Sequence, residues 1–312
     1  MASYQEKEFT FLSSDGKNHI AAYLYTPTDR IPRAVVQIAH GVCDYIRRYL
    51  PMIEALTAAG FAVCGADCLG HGRSARHSDD LGYFAAEDGV DTLVTDAHKL
   101  TLAVRSQLKG TPVVLLGHSM GSFLARLYAV SYSRDIEGAI LLGTANNRLA
   151  GFGRMLANRM AANEGENYRS EKLKRFVFGP YNRKTGGDPD GAEWLTRDDG
   201  VVAAYLTDPY CNFILTARAF ADLFRMLELV SRPSWAKKYP KSMPTLIAAG
   251  AEDPVGACGK GPHAVAARLE SAGASDVTLK LYEGARHELH NEISPTREEF
   301  FEDLVTWLAE RF

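Results

Sequence analysis

The chain is short of cysteine, of long apolar runs and of charge of one sign, and each shortage removes a class of protein. Five cysteines (Cys43, Cys64, Cys68, Cys211, Cys258) lie scattered over 312 residues, an odd and dispersed set that gives no disulfide framework. Cys64 and Cys68 are separated by three residues, which is not the spacing of a redox CxxC pair. Reduced thiols in a cytoplasmic protein are the simple expectation. No apolar stretch approaches the roughly 18 residues that a transmembrane helix needs. The opening Met1-Ala2-Ser3-Tyr4-Gln5-Glu6-Lys7-Glu8 is polar and acidic where a secretory signal is basic and then apolar. With 35 Lys+Arg against 38 Asp+Glu, the net charge is −3, so no basic footprint for nucleic acid exists. An HExxH, a Cys/His cluster at zinc spacing, a Walker loop and a GxGxxG are all missing, so neither metal nor cofactor is expected.

What is present is an α/β pattern. Phe9 to Leu12 and Ile20 to Tyr25, with Ser14-Asp15-Gly16 between them, read as an antiparallel hairpin. The runs Ala34 to Ala39, Phe61 to Ala66, Pro112 to Leu116 and Gly138 to Leu142 are nearly continuous and apolar, as in strands buried on both faces. Helical spacing separates them: Tyr49 to Ala59 ends at Gly60, and Val90 to Leu108 ends at Gly110. Alternation of this kind builds a parallel sheet through βαβ crossovers. It breaks between Asn146 and Pro233, where helical patterns dominate and only Val201 to Leu206 could pass for a short strand. It resumes with Pro244 to Gly250 and Val277 to Tyr282, and an amphipathic helix through Phe300, Leu304, Leu308 and Phe312 closes the chain. The domain expectation is therefore a core of residues 1–145 and 234–312, interrupted by a helical cap of residues 146–233.

Directly after the Pro112 to Leu116 run stands Gly117-His118-Ser119-Met120-Gly121, a G-x-S-x-G. In a sharp strand-to-helix turn this pattern lifts the serine clear of the sheet, and side chains at the two glycine positions would crowd the turn. A pattern this short arises by chance in roughly one such chain in ten, so its weight comes from the strand before it and the helix after it. A serine needs a base oriented by a third group, and in this arrangement the order is serine, acid, histidine. Asp253, in Glu252-Asp253-Pro254 after the Pro244 run, is the expected acid, since Asp-Pro starts a turn at the strand end. His287 is the expected base, following Gly284 and Ala285, with His290 as the alternative. Two amides should stabilise the oxyanion: that of Met120 at the helix start, and that of Val42 in the loop His40-Gly41-Val42-Cys43. Each donor contributes about 3–4 kcal/mol to the transition state. No base accompanies Cys43, which is not expected to be a nucleophile.

These residues resemble the α/β-hydrolase superfamily, and within it the monoacylglycerol lipase and lysophospholipase-like branch, the serine-aminopeptidase-like hydrolases. The resemblance spans nearly the whole chain and rests on His40-Gly41, Asp67 to Ser74, Gly117 to Gly121, Asp208-Pro209-Tyr210-Cys211, Glu252 to Gly256 and Gly284 to Glu292. It implies a Ser119–Asp253–His287 triad, the Val42 and Met120 amides as oxyanion hole, and a helical cap over the site. Where many relatives carry a small residue and Glu after His-Gly-x, this chain has Cys43-Asp44, which bears on the acyl pocket. The expected activity is hydrolysis of acylglycerol or lysophospholipid esters. An aminopeptidase or amidase, which needs an acid such as Asp208 or Glu228 for the substrate amine, is one alternative. A carboxylesterase of other small esters is a second, and a non-catalytic receptor on the same fold is the last. His40 and Cys43 are candidates for substrate contact. So are Phe152 and Met155, from the stripe Leu149, Phe152, Met155, Leu156, Met160. That stripe has three open destinations: an acyl pocket, a transient membrane-surface contact, or packing within the cap.

Overall fold

A computed structural model describes residues 4–188 and 190–312. Among them, strands β1 (Tyr4–Leu12), β2 (His19–Pro27), β3 (Val35–Ala39), β4 (Ala62–Ala66), β5 (Val113–His118), β6 (Gly138–Leu142), β7 (Thr245–Gly250) and β8 (Val277–Tyr282) form one sheet. Their order is β1-β2-β4-β3-β5-β6-β7-β8. The β1–β2 and β2–β4 pairs are antiparallel, and every pair from β4 through β3 to β8 is parallel. This is the mostly parallel sheet flanked by helices that the α/β-hydrolase resemblance implies.

Ten helices accompany the strands among the described residues: α1 (Leu50–Ala58), α2 (Gly89–Gln107), α3 (Met120–Ser131), α4 (Ala150–Glu164), α5 (Glu171–Thr185), α6 (Asp199–Thr207), α7 (Ala217–Ser231), α8 (Ser234–Lys238), α9 (Lys260–Ser271) and α10 (Thr296–Arg311). The central strands explain the layering, because side chains of a strand alternate between faces. Val35, Val113 and Leu115 enter the core shared with α2, α3, α7 and α9. Val36, Val114 and Leu116 enter the core shared with α1 and α10. All six are buried, and each such side chain is stabilised by about 1.5–3 kcal/mol relative to exposure.

The strand order reverses on either side of β3, whose neighbours are β4 and β5. In open parallel sheets, ligand crevices form at the strand C-termini beside such a reversal. The loops after β3 and β5, which carry Val42 and Ser119, lie at that point.

Helices α4 to α7 all fall between β6 and β7. The two ends of this insertion are tied together at the core. Arg126, fully buried on α3, donates to the carbonyls of Ala145 (2.9 Å) and Val230 (3.4 Å). Arg268 reaches the Asn146 side-chain oxygen (2.8 Å) and the Ser231 carbonyl (2.6 Å). The segment Val201 to Leu206, which could pass for a strand, lies within α6 instead. Asp198 decides this: its Oδ1 accepts from the amides of Gly200 (2.9 Å) and Val201 (3.1 Å), an N-cap that starts a helix.

Candidate active site

Ser119 sits between the end of β5 and the start of α3 with φ 54° and ψ −119°. A non-glycine residue with positive φ stores about 1–3 kcal/mol of strain, and here close approach enforces it. A Cβ on Gly117 would lie 2.1 Å from the Gly121 carbonyl oxygen, and one on Gly121 would lie 2.0 Å from that of Ala39. Both glycines are therefore sterically required. The Ser119 amide donates to Leu142 O (3.0 Å) and its carbonyl accepts from Ser122 N (2.8 Å), pinning the turn to β6.

Asp253 follows β7 and is fully buried. Its Oδ1 accepts from Val255 N (2.8 Å), a local turn bond that fixes the carboxylate. Its Oδ2 lies 2.9 Å from His287 Nδ1, so a proton on Nδ1 donates to the carboxylate and Nε2 is left as the basic nitrogen. His287 is 1% exposed, and its Nε2 is buried without a hydrogen-bond partner among the described residues. The serine and histidine loops meet through His118. Its ring lies 4.8 Å from that of His287, and its Nε2 lies 3.3 Å from the His287 carbonyl. Gly143 leaves room for the His287 ring, since a Cβ there would come within 2.9 Å of His287 Cε1.

Met120 is the first residue of α3, so its amide has no intrahelical acceptor. Val42 lies in the loop after β3 and lines the same cavity as Ser119 and Met120. That loop is held from behind by a polar network. Gly41 N donates to Tyr49 Oη (3.2 Å), and Tyr49 Oη donates to Asp44 Oδ2 (2.7 Å) and lies 2.8 Å from His118 Nδ1. Arg48 bridges Asp44 (3.0 Å) and, through two bonds, Glu288 (2.8 and 2.7 Å). Burial alone would raise the Glu288 carboxyl, but the Arg48 guanidinium outweighs it and holds the group well below the usual range. Burial pushes His118 and His290 down to about 3, so both stay neutral at ordinary pH.

Arg48, Tyr49, His118 and Glu288 were missed by the sequence reading. The Asp44–Arg48 spacing of four was the available signal, since i,i+4 partners meet on one helical face. Trp194 was missed as well. This residue of the insertion has its ring 5.0 Å from that of His287, and its carbonyl accepts from His287 N (3.4 Å).

The cavity at Ser119 measures about 570 Å³ and is walled by Phe123, Val177, Phe178, Leu223, Phe224 and Leu227, among others. The remaining candidates fall elsewhere. Phe152 and Met155 are 59% and 60% exposed on α4 and do not line it. His40 is fully buried and structural in position: its Nε2 accepts from Cys68 N (2.8 Å) and its Nδ1 lies 2.7 Å from Gly41 O. Cys43 has φ 54°, and its thiol donates to Phe213 O (3.3 Å). Burial pushes that thiol up to about 12, so it is not a thiolate at neutral pH. Neither Asp208 nor Glu228 reaches the Ser119 cavity. Asp208 accepts from Tyr45 Oη (2.7 Å), and Glu228 pairs with Arg154 (2.9 Å) and Arg232.

A family model described as serine aminopeptidase, S33, matches residues 30–294. The chain is 28% identical to the monoacylglycerol lipase of Mycolicibacterium smegmatis, with 99% of each chain covered. It is 27% identical to the monoglyceride lipase of Homo sapiens, with 96% of this chain and 89% of that one covered. Among solved structures it resembles a thermostable carboxyl esterase from Bacillus coagulans in complex with glycerol, at TM-score 0.91 and 32% identity over 98% of both chains.

Proposed function

Since this chain belongs to the serine aminopeptidase S33 family and is a serine ester hydrolase, we propose that it cleaves acylglycerol or lysophospholipid esters through a Ser119–His287–Asp253 triad. The observation that carries the reading is the cavity of about 570 Å³ at Ser119. Its walls are mainly apolar and aromatic, with Asn147 as a polar exception, and among the described residues include no acidic side chain, which suits an acyl chain and offers no carboxylate to an amino group. The glycerol bound by the Bacillus coagulans relative supports a polyol as the leaving group.

The steps follow from the residues. Ser119 Oγ attacks the ester carbonyl carbon while His287 Nε2 takes its proton. Asp253, bonded to Nδ1, stabilises the imidazolium. The Val42 and Met120 amides bind the oxyanion. The carbonyl re-forms as the C–O bond to the alcohol breaks, and the alcohol leaves with the proton from Nε2. Water, deprotonated by the same nitrogen, then releases the carboxylic acid and restores the serine. Residues 146–233 act as a cap that walls the acyl site and selects substrate. The exposed Leu149 at the N-cap of α4 and Phe152 and Met155 on the helix form a small apolar face suited to transient contact with a lipid surface. Five unpaired thiols fit a reducing, cytoplasmic setting.

A panel of monoacylglycerols, lysophospholipids, p-nitrophenyl esters of graded length and aminoacyl amides tests the proposal. Glycerol or phosphoglycerol esters should give the highest kcat/KM. Preference for aminoacyl amides would replace the lipase reading with a peptidase.

A further inference from the structure

A second, smaller cleft, about 370 Å³ with the space open to solvent included, adjoins the first, and both are lined by Val42, Phe178 and Trp194. An ester whose carbonyl oxygen sits at the Val42 and Met120 amides sends its acyl and alcohol arms in opposite directions. The apolar cavity at Ser119 takes the acyl arm, which leaves the second chamber for the alcohol. Trp194 places the chamber correctly for this. Its ring lies 5.0 Å from His287, the group that must protonate the departing oxygen.

The polar side chains of this chamber are rich in donors. Lys174 Nζ donates to Asn212 O (3.2 Å) and Asn212 Oδ1 (2.9 Å), and an ammonium has a third N–H to offer. With the Asn212 oxygen engaged, the part of that side chain still open is its NH₂. Tyr205, buried with its ring beneath the Arg48 guanidinium at 4.9 Å, lines the same chamber. Among the described residues no carboxylate lines the chamber. Asp190 feels the positive field of Lys174, and that carboxylate is held by two bonds from Arg175. At the chamber wall Cys43 feels Lys174, then the opposing carboxylate of Asp44, then Arg169; Asp44 is engaged by Arg48 (3.0 Å) and Tyr49 (2.7 Å), and the acceptors of Arg169 are the neutral carbonyls of Ile214 and Asp79. A cation whose partners among the described residues are amide oxygens, in a chamber also lined by a tyrosine and an amide NH₂, complements an anionic, acceptor-rich group.

We infer that this chamber is an anion-accepting subsite for the leaving alcohol, with Lys174 as its specificity determinant, and that the preferred substrates are acyl esters of a phosphorylated polyol. The inference rests on the reading of Ser119 as the nucleophile and narrows it to one substrate class. The experiment compares kcat/KM for octanoyl-glycerol and octanoyl-glycerol phosphate, both below their micellar concentrations, in the parent protein, Lys174→Met, Lys174→Arg and Tyr205→Phe. The parent should prefer the phosphate ester by at least about tenfold. Lys174→Met should cut that preference by about tenfold to a hundredfold, the effect of losing one charged hydrogen bond, and Lys174→Arg should restore most of it. Tyr205→Phe should lower the same ratio by a smaller factor. A parent ratio at or below one, or a ratio that Lys174→Met leaves intact, overturns the subsite. Turnover of p-nitrophenyl butyrate and fluorophosphonate labelling of Ser119 report separately on the nucleophile. If they persist while the ratio does not respond, only the subsite falls; if they are absent, both ideas fall.

Discussion

Gly121→Ala isolates the geometry on which catalysis depends. Gly121 is a helical residue without positive φ, so alanine suits its backbone and the penalty is purely steric. The new Cβ would stand 2.0 Å from Ala39 O, 2.6 Å from Ala39 C and 2.8 Å from His40 O. All three are backbone atoms, and restoring even a 3.0 Å contact requires α3 and the end of β3 to separate by about 1 Å. Overpacking of this sort costs about 1–3 kcal/mol. Ala39 and His40 lead directly to Val42, and Gly121 follows Met120, so the separation widens the gap between the two proposed oxyanion donors. A misplacement of about 1 Å costs roughly a hundredfold in rate. Urea denaturation and kcat/KM on p-nitrophenyl butyrate measure the two effects. Gly110→Ala is the control: its φ of +79° makes alanine strained, yet nothing lies within 4 Å of the added carbon. It should lose about 1–2 kcal/mol of stability with activity intact. A folded Gly121→Ala protein that keeps kcat/KM within about threefold of the parent would refute the reasoning.

Three further outcomes follow from the network and the cap. Glu288→Ala leaves the buried Arg48 with Asp44 as its remaining carboxylate and should cost about 3–5 kcal/mol in urea denaturation, whereas replacing both partners (Arg48→Met with Glu288→Leu) should recover much of that loss. His290 is fully buried, and desolvation first, then His118, pushes it down to about 3. An unfolded histidine takes up its proton near pH 6.5 while folded His290 stays neutral, so stability falls as pH drops from about 6.5 toward 3, by about 1.4 kcal/mol per pH unit. His290→Phe should flatten that slope by the same amount, and an unaltered slope in urea titrations from pH 7 to 4 would remove the assignment. Phe152→Asp, on an exposed position of α4, should leave urea stability within about 0.5 kcal/mol and weaken flotation with anionic liposomes; equal flotation of both proteins would discard the membrane contact.

The strands were legible because each central one is buried on both faces and reads as an unbroken apolar run, with Val35-Val36 and Val113 to Leu116 splitting between two cores. The serine turn was legible because its two glycines answer to backbone contacts that no other residue tolerates. Helix α5 left a weaker trace, since Pro180 interrupts its pattern while tertiary packing keeps it helical. Helix α6 depends on a single capping residue, Asp198. Long-range polar partners left almost no trace. Arg48 and Glu288 are 240 residues apart, and Trp194 reaches His287 from an insertion whose placement only the fold decides. Phe152 and Met155 show the converse: their spacing signals a helix with one apolar stripe, but periodicity does not say which neighbour covers that stripe.

The most direct test of the account is the identity of the nucleophile. After incubation with a fluorophosphonate, peptide mass spectrometry should find one adduct on the peptide bearing Ser119. Ser119→Ala should remain folded, take up no adduct and lose roughly 10⁴-fold or more in kcat on p-nitrophenyl butyrate. Adduct formation at another residue, or full ester turnover by Ser119→Ala, would contradict the account.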